Sequence, residues 1–233
     1  MEKVVHLVRA RDDVDGAELR RRALEETVPA LRAAGASGIT VHLADDGVGI
    51  PGPMPCPGGE LPVRAAVATW WPAHDLRPAA ADEAVAALGL RSDGYLVTEA
   101  VWSEFGQRRG PGRDWPDGTR SPGLVTLALV HRNPALDPRT FREFWYGHQS
   151  PMSEAVQPRL RYVRNTVAHP VTAGAPPLDG IVVETWPSEE VVSDVVAFHL
   201  GDPANLTTML DSVGTAFDMA RLRSIAMSEY LCG

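Results

Sequence analysis

One histidine of this chain is placed where an imidazole could take up and deliver protons. His148 lies in the segment FREFWYGHQSPM, residues 141 to 152. Phe141, Trp145, His148 and Met152 follow the 3.6-residue period of one helical stripe, so we expect the imidazole to point with the aromatic rings. If that helix end faces a cavity, unpaired carbonyls of its last turn favour the protonated ring. The spacing predicts a general acid or base; the alternative is a core histidine that donates to a carbonyl.

Two signals bound the helix that carries His148. Asp137 can cap free amides, and Pro138 at the first helical position loses no hydrogen bond. Pro151 cannot donate to the carbonyl of Gly147 and its ring crowds that carbonyl, so a helix through this point would be kinked or broken. We therefore expect the first helix to end near His148.

Further side chains could line a substrate site around this histidine. Tyr162 and Arg164 alternate with Val163 and Asn165 along a strand, so only one pair faces inward, and we favour Tyr162 and Arg164. His131 ends an apolar strand and could reach the same cavity or lie on the surface. The predicted substrate-binding residues are Trp145, Tyr162, Arg164, Asn165, Trp186 and His131, with plain core packing as the alternative for the tryptophans.

Composition and charge exclude several classes of protein. The chain has 233 residues, of which 44% are hydrophobic and 22% charged, and its net charge is -8. This balance argues against a nucleic-acid or anionic-membrane partner, since both need clustered Lys and Arg. No apolar stretch approaches the roughly 20 residues that span a bilayer, and the N-terminus lacks a signal-peptide pattern. A cytoplasmic location is therefore expected. The tryptophans named above would suit a small hydrophobic substrate.

The sequence offers no pattern for a metal or organic cofactor. Cys56 and Cys232 lie far apart, and no two of the seven histidines have a ligand-like spacing. Neither GxSxG, a phosphate-binding GxxxxGK nor GxGxxG after a strand occurs. We expect no cofactor and no metal.

The chain repeats itself at an offset of 122 residues. Residues 3–43 align without a gap on 125–165 with seven identities, including Asp15 with Asp137 and Pro29 with Pro151. Both halves read strand, helix, strand, strand, helix, strand. Strands are predicted at about 3–10, 37–44, 62–71, 94–103, 123–132, 159–169, 179–186 and 223–231, with helices at about 15–34, 77–89, 137–155 and 203–221.

This order predicts an α+β fold of two tandem ferredoxin-like βαββαβ units. Residues 1–103 form the first, degenerate half, 104–122 a Gly- and Pro-rich linker, and 123–233 the second half. Strands that are apolar on both sides need cover on both faces, so we expect the two sheets to close into an intrachain pseudo-dimeric α+β barrel. The segment 45–61 is either a mobile flap over a site or a disordered insertion.

The second half resembles the EthD domain, a branch of the dimeric α+β barrel superfamily. The resemblance rests on FREFWYGHQSPM, on LRYVRN at 160–165 and on LDGIVVETW at 178–186. It implies small-molecule metabolism by dehydratases, cyclases or lyases that mostly use no cofactor. At the 122 offset His148 corresponds to Glu26, Tyr162 to Thr40 and Asn165 to Leu43, so the first half lacks the motif and one functional cavity is expected.

The leading hypothesis is a cofactor-independent lyase, cyclase, dehydratase or isomerase that acts on a polyketide-like or aromatic carbonyl compound. His148 would transfer the proton, while Tyr162, Arg164 or Asn165 would hydrogen-bond the enolate oxygen. The alternatives are a monooxygenase of the same superfamily, either cofactor-free or haem-dependent, and a non-catalytic binding protein. Association into a homodimer is left open.

Overall fold

Eight antiparallel strands close into one barrel in the computed structural model, which describes residues 1–233. The strands are β1 (Glu2–Arg9), β2 (Ser37–Leu43), β3 (Val63–Trp71), β4 (Arg91–Ser103), β5 (Leu124–Val130), β6 (Arg161–Pro170), β7 (Gly180–Trp186) and β8 (Arg223–Leu231). Their order around the barrel is β1-β3-β2-β8-β5-β7-β6-β4. The predicted α+β class and the eight-stranded barrel are thus confirmed, and the predicted strand positions agree to within about three residues.

The two halves of the chain contribute equivalent strands in the same order. Read within each half, the first runs β4-β1-β3-β2 and the second β8-β5-β7-β6. Two seams join them, where β2 pairs with β8 and β4 pairs with β6. Inside the barrel, side chains of both halves form one cluster of 15 buried hydrophobic residues. The centre of the barrel is therefore largely a packed core.

The helices cover the outside of the barrel. They are α1 (Gly16–Arg22), α2 (Val28–Ala33), α3 (Ala79–Ala86), α4 (Pro138–Phe144), α5 (Ser150–Val156), α6 (Glu189–Ser193) and α7 (Pro203–Ala216). Asp15 and Asp137 cap α1 and α4, as their position before each helix predicts. Between helices and sheet lie two further cores, one of 17 residues around the helices of the first half, which includes Tyr230 of β8 and Cys232 just after it, and one of nine residues in the second half.

A π-turn replaces the predicted helix break. The residues Trp145–Gln149 form one wide turn that joins α4 to α5, and the amide of Ser150 donates to the carbonyl of Trp145, five residues back. Ala23–Thr27, at the same offset of the repeat, forms the matching turn between α1 and α2. Pro29 and Pro151 follow these turns by two residues. The widened turn lets each helix continue past its proline.

Outside the repeated elements, three segments shape the site. The strands leave 104–123 as the connection between β4 and β5. Segment 45–61 lies against the second half, where Met54 exchanges backbone hydrogen bonds with Ser224 at 3.1 and 2.7 Å. Between β7 and α7, sequence reasoning missed α6 and the short 3₁₀ turn Ala197–His199. No helix has the length and apolar character needed to cross a membrane.

Candidate functional site

A cavity of about 330 Å³ lies between the sheet and the helices of the second half. Of the 23 residues that line it, 15 are hydrophobic. The sheet contributes Ala128, Val130 and Val182, and α7 contributes Met209 and Val213. Pro53 and Met54 of segment 45–61 close one side, so the first half supplies part of the wall. The size and lining are typical of a site for a small apolar ligand.

Trp145 and Tyr162 form an aromatic wall of this cavity. Trp145 is fully buried, and its indole Nε1 donates to the hydroxyl of Tyr162 at 3.3 Å. The Tyr162 hydroxyl also lies 3.5 Å from Ser150 Oγ. Burial raises the pKa of Tyr162, so its phenol stays protonated near neutral pH. Since the indole donates to the phenol oxygen, the phenol proton can be given to an acceptor.

A buried ion pair forms the polar part of the wall. Arg159 is 1% exposed and its Nη1 donates to Glu184 Oε1 at 2.6 Å, while Nη2 donates to Ser153 Oγ at 2.7 Å. The guanidinium carbon also lies 4.0 Å above the Tyr162 ring. A charge that is buried in this way needs such partners. Arg159 therefore fixes both Glu184 and Tyr162 at the cavity.

His199 is the imidazole of this cavity. Its Nδ1 lies 2.7 Å from the carbonyl oxygen of Val195, which can only accept, so Nδ1 carries the hydrogen. In the neutral ring Nε2 is then a lone-pair acceptor, and no protein group is hydrogen-bonded to it. The residue is 4% exposed and lies edge-on to Phe198, which stacks on Trp186 at 4.2 Å. The arrangement places a fixed proton acceptor beside an apolar cavity.

The backbone next to His199 is strained. Leu200 has a φ of 56° and is the one non-glycine residue of the chain with a positive φ. This conformation costs about 1 kcal/mol or more for a leucine and persists only where its surroundings enforce it. It ends the 3₁₀ turn and directs the chain into α7, whose residues line the cavity. The strain therefore lies directly beside the candidate base.

The structure places His148, the predicted proton-transfer residue, away from this cavity. His148 is exposed and its ring lies against Phe144, with ring centroids 4.7 Å apart, outside the cavity. The physical reason is the π-turn, which holds an extra residue and shifts the inward stripe after Trp145. Gln149 takes the inward place, at 6% exposure, and lines the cavity. Ordinary helical spacing could not predict this shift.

The remaining predicted residues divide between several places. Trp145 and Tyr162 line the cavity. Arg164 shares the face of Tyr162 but stacks on Tyr146 at 3.9 Å and donates to Ser150 Oγ, and it does not line the cavity. Trp186 is buried behind Phe198 and donates to Thr126 at 2.8 Å. It supports the site from outside the cavity.

Asn165 and His131 lie in other cavities. Asn165 points into the barrel, where its Nδ2 donates to the carbonyl of Ile181 at 3.1 Å and the residue lines a polar space of about 160 Å³. His131 lines a cavity at one end of the barrel. Sequence reasoning missed Arg159, Glu184 as a cavity residue, Gln149 and His199. Only Glu184 gave a signal, as a carboxylate in an otherwise apolar strand.

No group of three or more His, Cys, Asp or Glu side chains is arranged to hold a metal ion.

The first half has no matching cavity, because the corresponding layer between its helices and the sheet is filled by the core of 17 buried hydrophobic residues. Ala23 stands where the second half has Trp145, and Thr27 where it has Gln149. The polar cavity residues thus belong to the second half.

Comparison with known proteins identifies the fold. Neither the protein-family models nor the curated proteins give a match to the sequence. Among solved structures, an anthrone oxidase-like protein superposes with a TM-score of 0.61 at 11% identity, over 100% of this chain and 93% of that one. A candidate monooxygenase from Fusobacterium nucleatum superposes with a TM-score of 0.54 at 8% identity, over 100% and 94%. The chain therefore shares the fold of these two structures, an α+β fold with a closed barrel of eight antiparallel strands.

Proposed function

We propose that the protein is an enzyme that removes a proton from a flat, hydrophobic aromatic compound bound in the 330 Å³ cavity. The observation that carries the proposal is the buried imidazole of His199, whose Nδ1 is held by Val195 and whose Nε2 is left without a protein partner. A base with fixed orientation in a largely apolar cavity is suited to general acid–base catalysis. The second-half motif that resembles the EthD domain supports a small-molecule substrate.

The reaction we propose is an oxidation by molecular oxygen. His199 Nε2 takes a proton from a CH₂ group that is conjugated with a carbonyl through an aromatic ring, as in anthrone, and the Tyr162 phenol donates to the oxygen of the resulting conjugated enolate. The enolate reacts with O₂, so that the CH₂ group becomes a second carbonyl and one water is released. The likeness to an anthrone oxidase-like protein and to a candidate monooxygenase supports this reaction over lyase or cyclase chemistry.

Haem does not fit this cavity. Haem would need His199 Nε2 to bind its iron and cationic side chains to bind its two propionates. Arg159 is the only arginine or lysine among the lining residues, and Glu184 and Glu154 already neutralise it at 2.6 and 3.6 Å. We therefore propose the cofactor-free form of the reaction.

The pairing of two ferredoxin-like units, with the first half as partner of the second, is part of this proposal.

Anthrone is the probe that tests this function, with oxygen uptake and anthraquinone formation as readouts. His199→Asn keeps a donor for the Val195 carbonyl but removes Nε2, so turnover should fall by about 10² to 10⁴. His148→Asn, which changes the exposed imidazole, should leave turnover unchanged. Full activity of the His199 variant, or equal losses in both, would exclude the proposed base. Turnover of an enolisable substrate without oxygen would favour a lyase or isomerase.

A further inference from the structure

A second cavity, of about 420 Å³, opens at the end of the barrel where β1 and β5 end. Its 13 lining residues include none of those that line the His199 cavity. Apolar residues come from the barrel interior and the following loop: Leu7, Tyr95, Leu129 and Leu178. Four guanidinium groups surround this surface, those of Arg9, Arg91, Arg221 and Arg223. The cavity thus combines an apolar floor with a cationic rim.

The positive charges of this rim are only partly neutralised. Asp93, which is 1% exposed, accepts from Arg9 Nε at 3.2 Å and from Arg91 Nε at 2.7 Å. Arg223 faces Glu60 at 3.5 Å, and Arg221 forms no ion pair. Four guanidinium groups therefore share two carboxylates. In a chain of net charge -8 this local excess of positive charge stands out.

The pKa of His131 responds to this positive charge, and two further groups add no negative charge to the cavity. Burial first, and then the charge of Arg221, lower the pKa of His131, although Asp179 and Asp218 act in the opposite direction. Burial raises the pKa of Tyr95 to about 12, so its phenol adds no negative charge, and it donates to the Pro176 carbonyl at 2.9 Å. Arg223 Nε is buried without a hydrogen-bond partner. Around this cavity, hydrogen-bond donors are thus in excess over acceptors.

We propose that this cavity is a second ligand site, which binds an amphiphilic organic anion. The anionic head, a carboxylate or a phosphate monoester, is held by Arg221 and Arg223, because a guanidinium matches either oxyanion with paired N–H donors. The apolar part lies against Leu7 and Leu129. The volume of about 420 Å³ is in the range of small-molecule sites. This site is distinct from the proposed catalytic cavity and does not depend on its function.

Isothermal titration calorimetry of the full chain with decanoate, decyl phosphate, decanol and decyltrimethylammonium tests the proposal. These probes share one alkyl chain and differ in the head group. At least one of the two anions should bind about tenfold or more tightly than the alcohol and the cation, since hydrogen bonds to charged groups are the strong ones. Anion binding should weaken with added salt. Equal affinity for decanol, or no anion binding, would overturn the proposal.

Variants locate the binding. Arg221→Gln with Arg223→Gln should weaken anion binding at least about tenfold. Arg139→Gln with Arg142→Gln, on the exposed face of α4, removes the same net charge and should have no effect. If the first pair fails to fold, Arg221→Gln alone serves, because that exposed side chain has no ion pair. Leu206→Trp narrows the His199 cavity. If this variant loses anion binding while the arginine variants keep it, the anion binds in the His199 cavity and the second site is refuted.

Discussion

Glu229 is a carboxylate inside the barrel, and its neighbours determine its charge. It is 1% exposed and accepts from Arg161 Nη1 at 2.7 Å, from His42 Nε2 at 3.2 Å and from Ser121 Oγ at 2.9 Å. Burial alone would raise its pKa. The charge of Arg161 and the hydrogen bonds from His42 and Ser121 outweigh this effect and lower the pKa of Glu229 to about 2.

This shift predicts how stability depends on pH. Because the folded pKa of Glu229 is about 2 and the ordinary value is 4.5, its contribution is complete above pH 4.5 and is lost as the pH falls towards 2. Glu229→Gln should lower the free energy of unfolding by about 3 kcal/mol at pH 7. That deficit should shrink below pH 4.5. Urea unfolding of both proteins at several pH values from 7 to 3 measures this difference in the free energy of unfolding.

Glu143→Gln is the matched control for this prediction. Glu143 pairs with Arg139 on the helix surface at 2.8 Å, and such an exposed pair contributes under about 1 kcal/mol. Its loss should therefore be small at every pH. A deficit of Glu229→Gln that is independent of pH would contradict the lowered pKa.

At the scale of elements, the two π-turns explain how a proline fits within each long helix. In a regular α-helix Pro151 would clash with a carbonyl four residues back, which costs about 3 kcal/mol. Here the amide of Ser150 bonds to Trp145, and the wide turn accommodates the ring. The same turn directs Gln149 to the cavity and His148 to solvent. One additional residue in a turn therefore changes which side chain reaches the site.

Removing the additional residue of the π-turn should produce the clash between Pro151 and the carbonyl four residues before it. Deletion of the exposed Gly147 converts the wide turn to an α-turn and should destabilise the protein by about 3 kcal/mol, since Pro151 then lies in a regular helix. Adding Pro151→Ala to the deletion should restore most of this loss. Pro151→Ala alone should change stability by less than about 1 kcal/mol. Equal losses with and without the proline would show that the turn does not accommodate it.

Local patterns predicted most of the elements and few of the site residues. Alternation and runs of apolar residues placed the strands, and Asp137 with Pro138 placed a helix start, because these signals act over neighbouring residues. His199 depends on a short 3₁₀ turn, on the Val195 carbonyl and on packing against Phe198, none of which has a period. The recurrence of Pro29 and Pro151 is the one sequence signal of the π-turns, and a proline within a helix predicts a kink or break equally well.

At the scale of the whole molecule, the barrel joins the two halves of the chain. β2 and β8 pair from Thr40 with Leu231 to Leu43 with Ser228, and β4 pairs with β6 along most of its length. The interior cluster contains residues from both halves, such as Val5 and Leu127. Separating the halves would expose this apolar core and the edges of four strands. Neither half is expected to persist alone.

An unbroken backbone within the connection 104–123 is therefore not needed once the barrel has formed. A site-specific protease sequence inserted between Gly112 and Arg113, both exposed, permits a single cut after folding. The cut protein should still elute as one particle of unchanged mass in native buffer, because the two seams and the shared core remain. Its melting temperature should become dependent on concentration, since unfolding now releases two chains. Two fragments that separate without denaturant would show that the halves are independent domains, and the cavity wall that Met54 supplies from the first half would then be lost with them.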